Sequence, residues 1–447
     1  MKKIKSFSIY GLFGTRDVHI PFEENIKILV GENGLGKTQV LNIFYYTLTR
    51  NFFRLSEFNF DRLVLTFSGF SPIEISKNQI NELNKHIYSI PHIKDFIEEF
   101  GYSQFELLRN RWIQSEGSKR RLINELQYNS KFRKYSLNRI FRVLEEISSP
   151  KENIFNQYIR DCEEKILKEI SENEILYFPT YRRVEEDLHN LGYDEEDLLL
   201  NQESTLIQFG MDDVQRKFNR IERTIDDLLK KGVSNFTKDI LKIVISGNST
   251  VDESIFNRIN EDDLQIIYAR AGKELDKELK DAVSETVRSK QFNNPFSGFL
   301  LQKLVELYEQ QREFDNSIKT FRDVCNRYLI DKEVFYDESN IKIYIKSEDK
   351  ESLPLSKLSS GEKQIISMFS KIYLSESDKR FVVLFDEPEL SLSMLWQKQL
   401  LPDVMNSKKC DFLLAVTHSP FIFDNELDKY AMGLSEYIHP SKETVSL

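Results

Sequence analysis

Cysteine is scarce in this 447-residue chain, which carries Cys162, Cys325 and Cys410 and no others. They are scattered without metal-ligand spacing, which excludes a disulfide framework and suits a reducing compartment. No apolar run approaches the roughly 20 residues of a membrane span, so the sequence predicts a soluble, cytoplasmic protein with no membrane partner. The start, Met1-Lys2-Lys3-Ile4-Lys5, is basic like a signal peptide. The apolar residues after it alternate with polar ones, however, and read as a strand. An excess of positive charge is missing too. With 62 Lys and Arg against 72 Asp and Glu the formal charge is -10, and the pI is near 5.4. Such a balance argues against a protein that coats nucleic acid along its whole surface. Internal repeats, low-complexity linkers and sustained heptads are absent, which excludes a long coiled-coil arm.

What is present suffices for two or three domains with real cores. Residues 1–80 read as strands and turns around one helix: strands at 3–10, 16–22 and 25–30, a helix at 38–50, and a hairpin at 63–67 and 73–76. Residues 81–173 have helical periodicity. A strand at 174–179 opens a connector, 174–211, and helical periodicity returns over 212–331. The remainder, 332–447, goes back to strands and helices. A globular helical lobe inserted between two strand-rich segments fits this order.

Four segments carry chemistry. Gly31-Glu32-Asn33-Gly34-Leu35-Gly36-Lys37-Thr38 has the spacing of a phosphate loop, with an apolar strand before it and a helix after. Gly31, Gly34 and Gly36 let the backbone bend until successive N–H groups, those around Asn33 and Gln39 included, face phosphate oxygens. Lys37 would reach the β- and γ-phosphates, and Thr38 would hold Mg2+ through its hydroxyl. The plainer alternative is a glycine turn before an ordinary helix; the flanking strand and helix favour the phosphate loop. Phe381-Val382-Val383-Leu384-Phe385-Asp386-Glu387 is an uninterrupted apolar run ending in two acids, as a parallel strand covered on both faces should be. Asp386 is placed to hold Mg2+, and Glu387 to polarise an attacking water. An acidic turn before Pro388 is the bland alternative.

Leu358-Ser359-Ser360-Gly361-Glu362-Lys363-Gln364 is a capping box, with Ser359 at the N-cap and Glu362 reaching back. The helix it opens puts Ile365, Ile366, Phe369, Ile372 and Tyr373 on one stripe. Physics alone favours a well-capped core helix, although an exposed helix start with a glycine could also sense a γ-phosphate. Phe412-Leu413-Leu414-Ala415-Val416-Thr417-His418 is a second buried strand with a polar tip. A lone histidine there is more often a turn residue, but it follows the acidic strand by one βα unit, which would bring it to the same site.

In this order the four segments resemble the ATP-binding-cassette ATPases, and specifically the non-transporter branch that includes Rad50, SMC, RecF and the overcoming-lysogenization-defect nucleases. The resemblance implies an α/β fold, an ABC-type P-loop NTPase of two lobes with a large inserted α-helical domain. It implies ATP and Mg2+ as cofactors and a homo-dimer or higher oligomer assembled head to tail. Ser359, Ser360, Gly361 and Glu362 of one copy would then close over the γ-phosphate held by Lys37 of another. Glu387 would be the catalytic base and His418 the switch histidine. Two departures stand out: Ser393 occupies the position where many cassettes carry an aspartate, and the glutamine of the Q-loop has only Gln79 as a candidate. Tyr177-Phe178-Pro179-Thr180-Tyr181-Arg182-Arg183, Gln208-Phe209-Gly210-Met211-Asp212-Asp213-Val214 and residues 417–427 further resemble the ATPase subunits of bacterial anti-phage systems: Septu, its retron-linked relatives and PARIS. That resemblance implies a separate effector nuclease, of Toprim or HNH type, because no cluster of acids or His and Asn residues after His418 offers a nuclease site. The competing readings are a DNA repair or recombination ATPase of the RecF or Rad50 type, and a protein in which ATP only glues an oligomer.

One segment runs against the acidic whole. Arg109, Arg111, Lys119, Arg120, Arg121, Arg133 and Lys134 are interleaved with Trp112, Tyr128, Phe132 and Tyr135. It is either a solvated helical face with its aromatics in the core or a surface for a polyanion, whether DNA or an acidic phage protein.

Overall fold

Uninterrupted apolar runs and alternating ones build different sheets in this chain. The computed structural model describes residues 3–32, 34–100, 105, 108, 141–142, 154–170, 172–180, 211–246, 252, 254, 261–271, 277–289, 295–349 and 351–441. Its strands begin with β1 (Ile4–Leu12), β2 (Arg16–Pro21), β3 (Ile26–Val30), β4 (Arg62–Phe67), β5 (Ile73–Ser76) and β6 (Asn173–Phe178). They continue with β7 (Lys332–Asp337), β8 (Lys342–Ser347), β9 (Ser352–Leu353), β10 (Arg380–Asp386), β11 (Cys410–Thr417), β12 (Ala431–Gly433) and β13 (Ile438–Pro440). Its helices include α1 (Lys37–Leu48), α2 (Met211–Ser246), α3 (Pro295–Cys325), α4 (Ser360–Tyr373) and α5 (Met394–Asn406). The chain divides into two units, residues 1–208 with 379–447, and residues 209–378.

The first unit holds two five-stranded sheets. One has the order β13-β2-β1-β4-β5 and pairs antiparallel throughout. Strands β4 and β5 alternate buried and open positions, so one face meets the core. The other has the order β12-β3-β11-β10-β6 and is parallel throughout. In β10 and β11 the residues Phe381–Phe385 and Phe412–Val416 are all buried, which is why their sequences show no alternation. Helix α1 lies in a core fed by both sheets. Phe44 meets Phe7 of the antiparallel sheet at 4.9 Å between ring centroids and Phe412 of the parallel sheet at 6.0 Å. Each such fully buried Phe contributes roughly 1.5–3 kcal/mol.

In the second unit β7, β8 and β9 form a small antiparallel sheet beside long helices. Helix α4 buries the stripe Ile365, Ile366, Phe369, Ile372 and Tyr373 as its periodicity predicts, with Tyr328 against Phe369 at 5.4 Å. Arg270, on the helix Glu261–Ala271, is buried against Asp315 of α3 in a two-pronged ion pair at 2.8 and 3.0 Å. Gln311, Tyr336 and the Glu338 carbonyl satisfy the rest of the guanidinium. Among the described residues no helix is long and apolar enough to cross a membrane.

Candidate nucleotide site

Parallel pairing brings the site together. The register sets Val30 beside Thr417, Asp386 beside Val416, and Phe385 beside Phe178. The residues that follow these strands therefore leave one edge of the sheet, the C-terminal edge where open α/β sheets bind ligands.

The loop after β3 turns through Gly34 and Gly36, both at φ +86°, a region that only glycine enters without strain. Gly36 is also the N-cap of α1, and no side chain caps it, so the first-turn N–H groups are left for an anion. A Cβ at Gly36 would stand 2.9 Å from the Phe13 ring, so a larger residue there would have to displace that ring as well as strain the backbone. Lys37 is buried, and its Nζ donates to the carbonyls of Gly31 at 2.8 Å and Glu32 at 3.0 Å. Burial lowers its pKa; Glu387, Asp386 and Glu389 pull in the other direction without fully offsetting it.

Asp386, at the end of β10, is held between two hydroxyls. Thr38 donates to Oδ1 at 3.0 Å and Thr180 to Oδ2 at 2.9 Å. Burial raises the pKa of this carboxyl against the two hydroxyl bonds, and the charges of Glu387 and Glu389 add to the rise. A hydroxyl and a carboxylate side by side are hard oxygen donors, and Mg2+ is commonly held by one or two such groups with the rest of its shell from phosphates and water. Among the described residues no group of three or more His, Cys, Asp and Glu could hold a metal unaided. The donor set thus fits a Mg2+ that arrives with a nucleotide.

Glu387 sits at φ +50°, in the left-handed region, and its N–H donates to Val416 O at 2.9 Å. A non-glycine residue held there costs about 1–3 kcal/mol, and such strain collects at functional positions. Its Oε1 lies 3.0 Å from His418 Nε2, which also lies 2.7 Å from Lys37 Nζ. One ring nitrogen serves one of these partners at a time: unprotonated it accepts from the ammonium, protonated it donates to the carboxylate. Apart from the adjacent pairs Lys37 with Thr38 and Asp386 with Glu387, these groups lie far apart in the sequence: His418 is 381 positions from Lys37 and Asp386 is 348 from Thr38.

The other expected residues are placed as follows. Gln39 lies exposed in the first turn of α1. Ser359 caps α4, accepting from Glu362 N–H, while Glu362 Oε2 accepts from Ser359 N–H at 2.7 Å, so the capping box forms. Burial opposes the charge on Glu362, but Lys332 at 2.8 Å and the Ser359 bonds outweigh it and hold the carboxyl below its usual range. Ser360 is half-buried and Gly361 buried. These four belong to the second unit. Gln79 closes a capping box of its own with Ser76, at 2.8 Å to the Ser76 N–H, on the helix Lys77–Ser89. Ser393 caps α5 through Trp396 N–H. Asn33 and the basic residues Arg109, Arg111, Lys119, Arg120, Arg121, Arg133 and Lys134 lie outside the described residues.

Three residues at this edge are given no role by sequence reading. Thr180 lies two positions past β6, and the sequence singles it out only within the stretch 177–183 that carries a family resemblance. Glu389 and Gln397 are engaged by the loop after β11; Gln397 Oε1 accepts from the Ser419 hydroxyl at 2.5 Å.

A family model described as an AAA ATPase domain matches residues 1–423. No curated protein matches the chain. Among solved structures it is similar to a crystal structure of the SmcHead bound to the C-winged helix domain of ScpA, at 10% identity and TM-score 0.35 over 94% of this chain and 90% of that one. It is similar also to the Smc head domain with an extended coiled coil bound to the C-terminal domain of ScpA from Pyrococcus furiosus. There the identity is 12% and the TM-score 0.35, over 95% of this chain and 91% of that one.

Proposed function

The chain belongs to the AAA ATPase domain family, and from that premise we propose that it binds ATP with Mg2+ at the tips of β3, β10 and β11 and hydrolyses it slowly. One observation supports this above all: Lys37, Thr38, Asp386, Glu387 and His418, at or beyond the C-terminal ends of three separate strands, meet within hydrogen-bond distances. Lys37 and the uncapped start of α1 hold the phosphates. Thr38 and Asp386 hold Mg2+, which when bound supplies neutralisation of the phosphate oxygens. Glu387 accepts the proton of the attacking water, and His418 contacts the γ-phosphate and relays its presence to Lys37 and Glu387.

The active assembly in this reading is a head-to-tail dimer or higher homo-oligomer, with Ser359, Ser360 and Gly361 of one copy completing the pocket of the next. Glu362 supports that segment through its cap and Lys332 and need not touch nucleotide. The cellular role is the sensor or scaffold subunit of an anti-phage complex that controls a separate nuclease of Toprim or HNH type, in the cytoplasm. What supports this part is the resemblance of residues 177–183, 208–214 and 417–427 to such subunits. The basic sequence from Arg109 to Lys134 is assigned to binding a polyanion, whether DNA or an acidic phage protein, by its charge alone.

The test is nucleotide binding with Mg2+ and phosphate release by wild type and Glu387→Gln. Binding by both with release by wild type alone is the expected result. No binding by wild type defeats the ATPase reading, and equal near-zero release leaves ATP as a structural ligand only. Strong stimulation of the isolated protein by DNA would count against the defence role.

A further inference from the structure

Glu389 stands apart from the other acids at this edge. It is 8% exposed, yet it is no neighbour of Asp386 or Thr38 in their hydrogen bonding. Its Oε1 accepts the N–H of His418 at 2.8 Å and that of Ser419 at 3.2 Å. Its Oε2 is buried without a hydrogen-bond partner. A buried carboxylate with one oxygen unmatched is costly to keep, so a second gain has to offset it. The surroundings show what that gain is. The Ser419 hydroxyl donates to Gln397 Oε1, and Gln397 Nε2 donates to Leu392 O at 2.9 Å. The loop after β11 is thereby tied at two consecutive residues to the turn and helix that follow β10. His418 Nε2 has 2.7 Å to Lys37 on one side and 3.0 Å to Glu387 on the other, a spacing that a shift of one ångström would break.

We propose that Glu389 is a positioning residue: by accepting the His418 and Ser419 amides it locks the loop after β11 to the loop after β10, and so keeps the His418 imidazole within reach of both Lys37 and Glu387. The proposal rests on the ATPase reading and adds the group that sets the histidine. The clamp works through an acceptor oxygen, and a negative charge is not what it requires. Glutamine at 389 keeps that oxygen and offers an N–H₂ on the unmatched side; alanine keeps nothing.

The experiment compares Glu389→Ala, Glu389→Gln, His418→Ala and the double variant Glu389→Ala/His418→Ala in the full chain. Glu389→Ala is expected to lower kcat for ATP by about ten- to a hundredfold, as small misplacements of catalytic groups do, with KM moved by about twofold at most. Glu389→Gln is expected to recover most of that loss. In the His418→Ala background, Glu389→Ala should change kcat by less than about twofold, since residues that act through one another are not additive. Hydrogen exchange over residues 412–423 reads the clamp without turnover: faster in Glu389→Ala, near wild type in Glu389→Gln. Should Glu389→Ala melt below the assay temperature, Glu389→Met, similar in volume and without a strong acceptor, replaces it. Glutamine as slow as alanine, additive loss with His418→Ala, or unchanged exchange in Glu389→Ala would each overturn the proposal. Wild type that releases no phosphate would instead defeat the ATPase reading, and the exchange result would still decide whether Glu389 holds the loop.

Discussion

Each unit buries a cluster of charges, and the two clusters are built to opposite plans. In the second unit Arg270 meets Asp315 through two parallel bonds, and Gln311, Tyr336 and a backbone carbonyl take up the remaining donors. Burial works against the guanidinium charge, but the bonds to Asp315 and Tyr336 outweigh it and raise its pKa, while burial pushes the Tyr336 hydroxyl well up, so neither group is poised to exchange a proton near neutrality. In the first unit the charges of Glu387, Asp386 and Glu389 all act on the ammonium of Lys37, which bonds to carbonyls and to His418. One ring nitrogen is contested between Lys37 and Glu387, one carboxylate oxygen is unmatched, and one backbone is held in the left-handed region. A satisfied network rigidifies, whereas an unmatched buried polar atom remains a cost that some other interaction must offset.

Four substitutions can break or sharpen this contrast. The largest effect belongs to the satisfied cluster: Arg270→Ala should destabilise the protein by about 3–5 kcal/mol, read in chemical denaturation, because it strands Asp315 as a buried unpaired charge. A loss below about 1 kcal/mol would show that the pair is not buried in solution. Glu387→Gln comes next and should cut phosphate release by about a hundred- to a thousandfold with nucleotide affinity retained, the usual reach of a general base. Parallel losses in binding and release would mean that Glu387 shapes the pocket and does not assist the water. Thr180→Val removes one of the two hydroxyl donors of the buried Asp386 carboxylate, at about 1–3 kcal/mol for a bond to a charged group. Its expected readout is a several-fold higher Mg2+ requirement for nucleotide binding, and an unchanged requirement would place Thr180 outside the metal's surroundings. Smallest is Ser359→Ala, which should cost about 1 kcal/mol of stability by opening the capping box of α4. If turnover falls much more than that cap is worth, Ser359 does more than cap.

The elements that sequence reading located best are those whose local pattern has one physical solution. The phosphate loop needs a strand, two glycines at positive φ and a helix whose first turn is uncapped, and 26–48 supply all of them within a single short stretch. Strands β10 and β11 are legible because burial on both faces leaves no room for polar residues. The capping box at Ser359 and Glu362 is equally local. Gln79 comes from the resemblance and not from a local pattern: it is the candidate for the Q-loop glutamine near the end of the first lobe, and its side chain is bound to Ser76 three positions away. Thr180 lies 206 positions from Asp386, and the resemblance of residues 177–183 assigns it no contact. Glu389 resembles any acid in a turn until the loop after β11 is laid against it.

The amino-acid order alone determined where a phosphate could be gripped, which strands are buried and which residues carry charge to their tips, because strand burial, glycine conformation and capping act over a few positions. Only the tertiary structure decided the strand order and register that set these tips at hydrogen-bond distances, that Asp386 is held by the hydroxyls of Thr38 and Thr180, and that the tail divides between two units after Asp378. Those outcomes depend on strand order and register in a parallel sheet, and hydrogen bonds between distant segments, unlike a cap or a turn, leave no spacing in the sequence to be read.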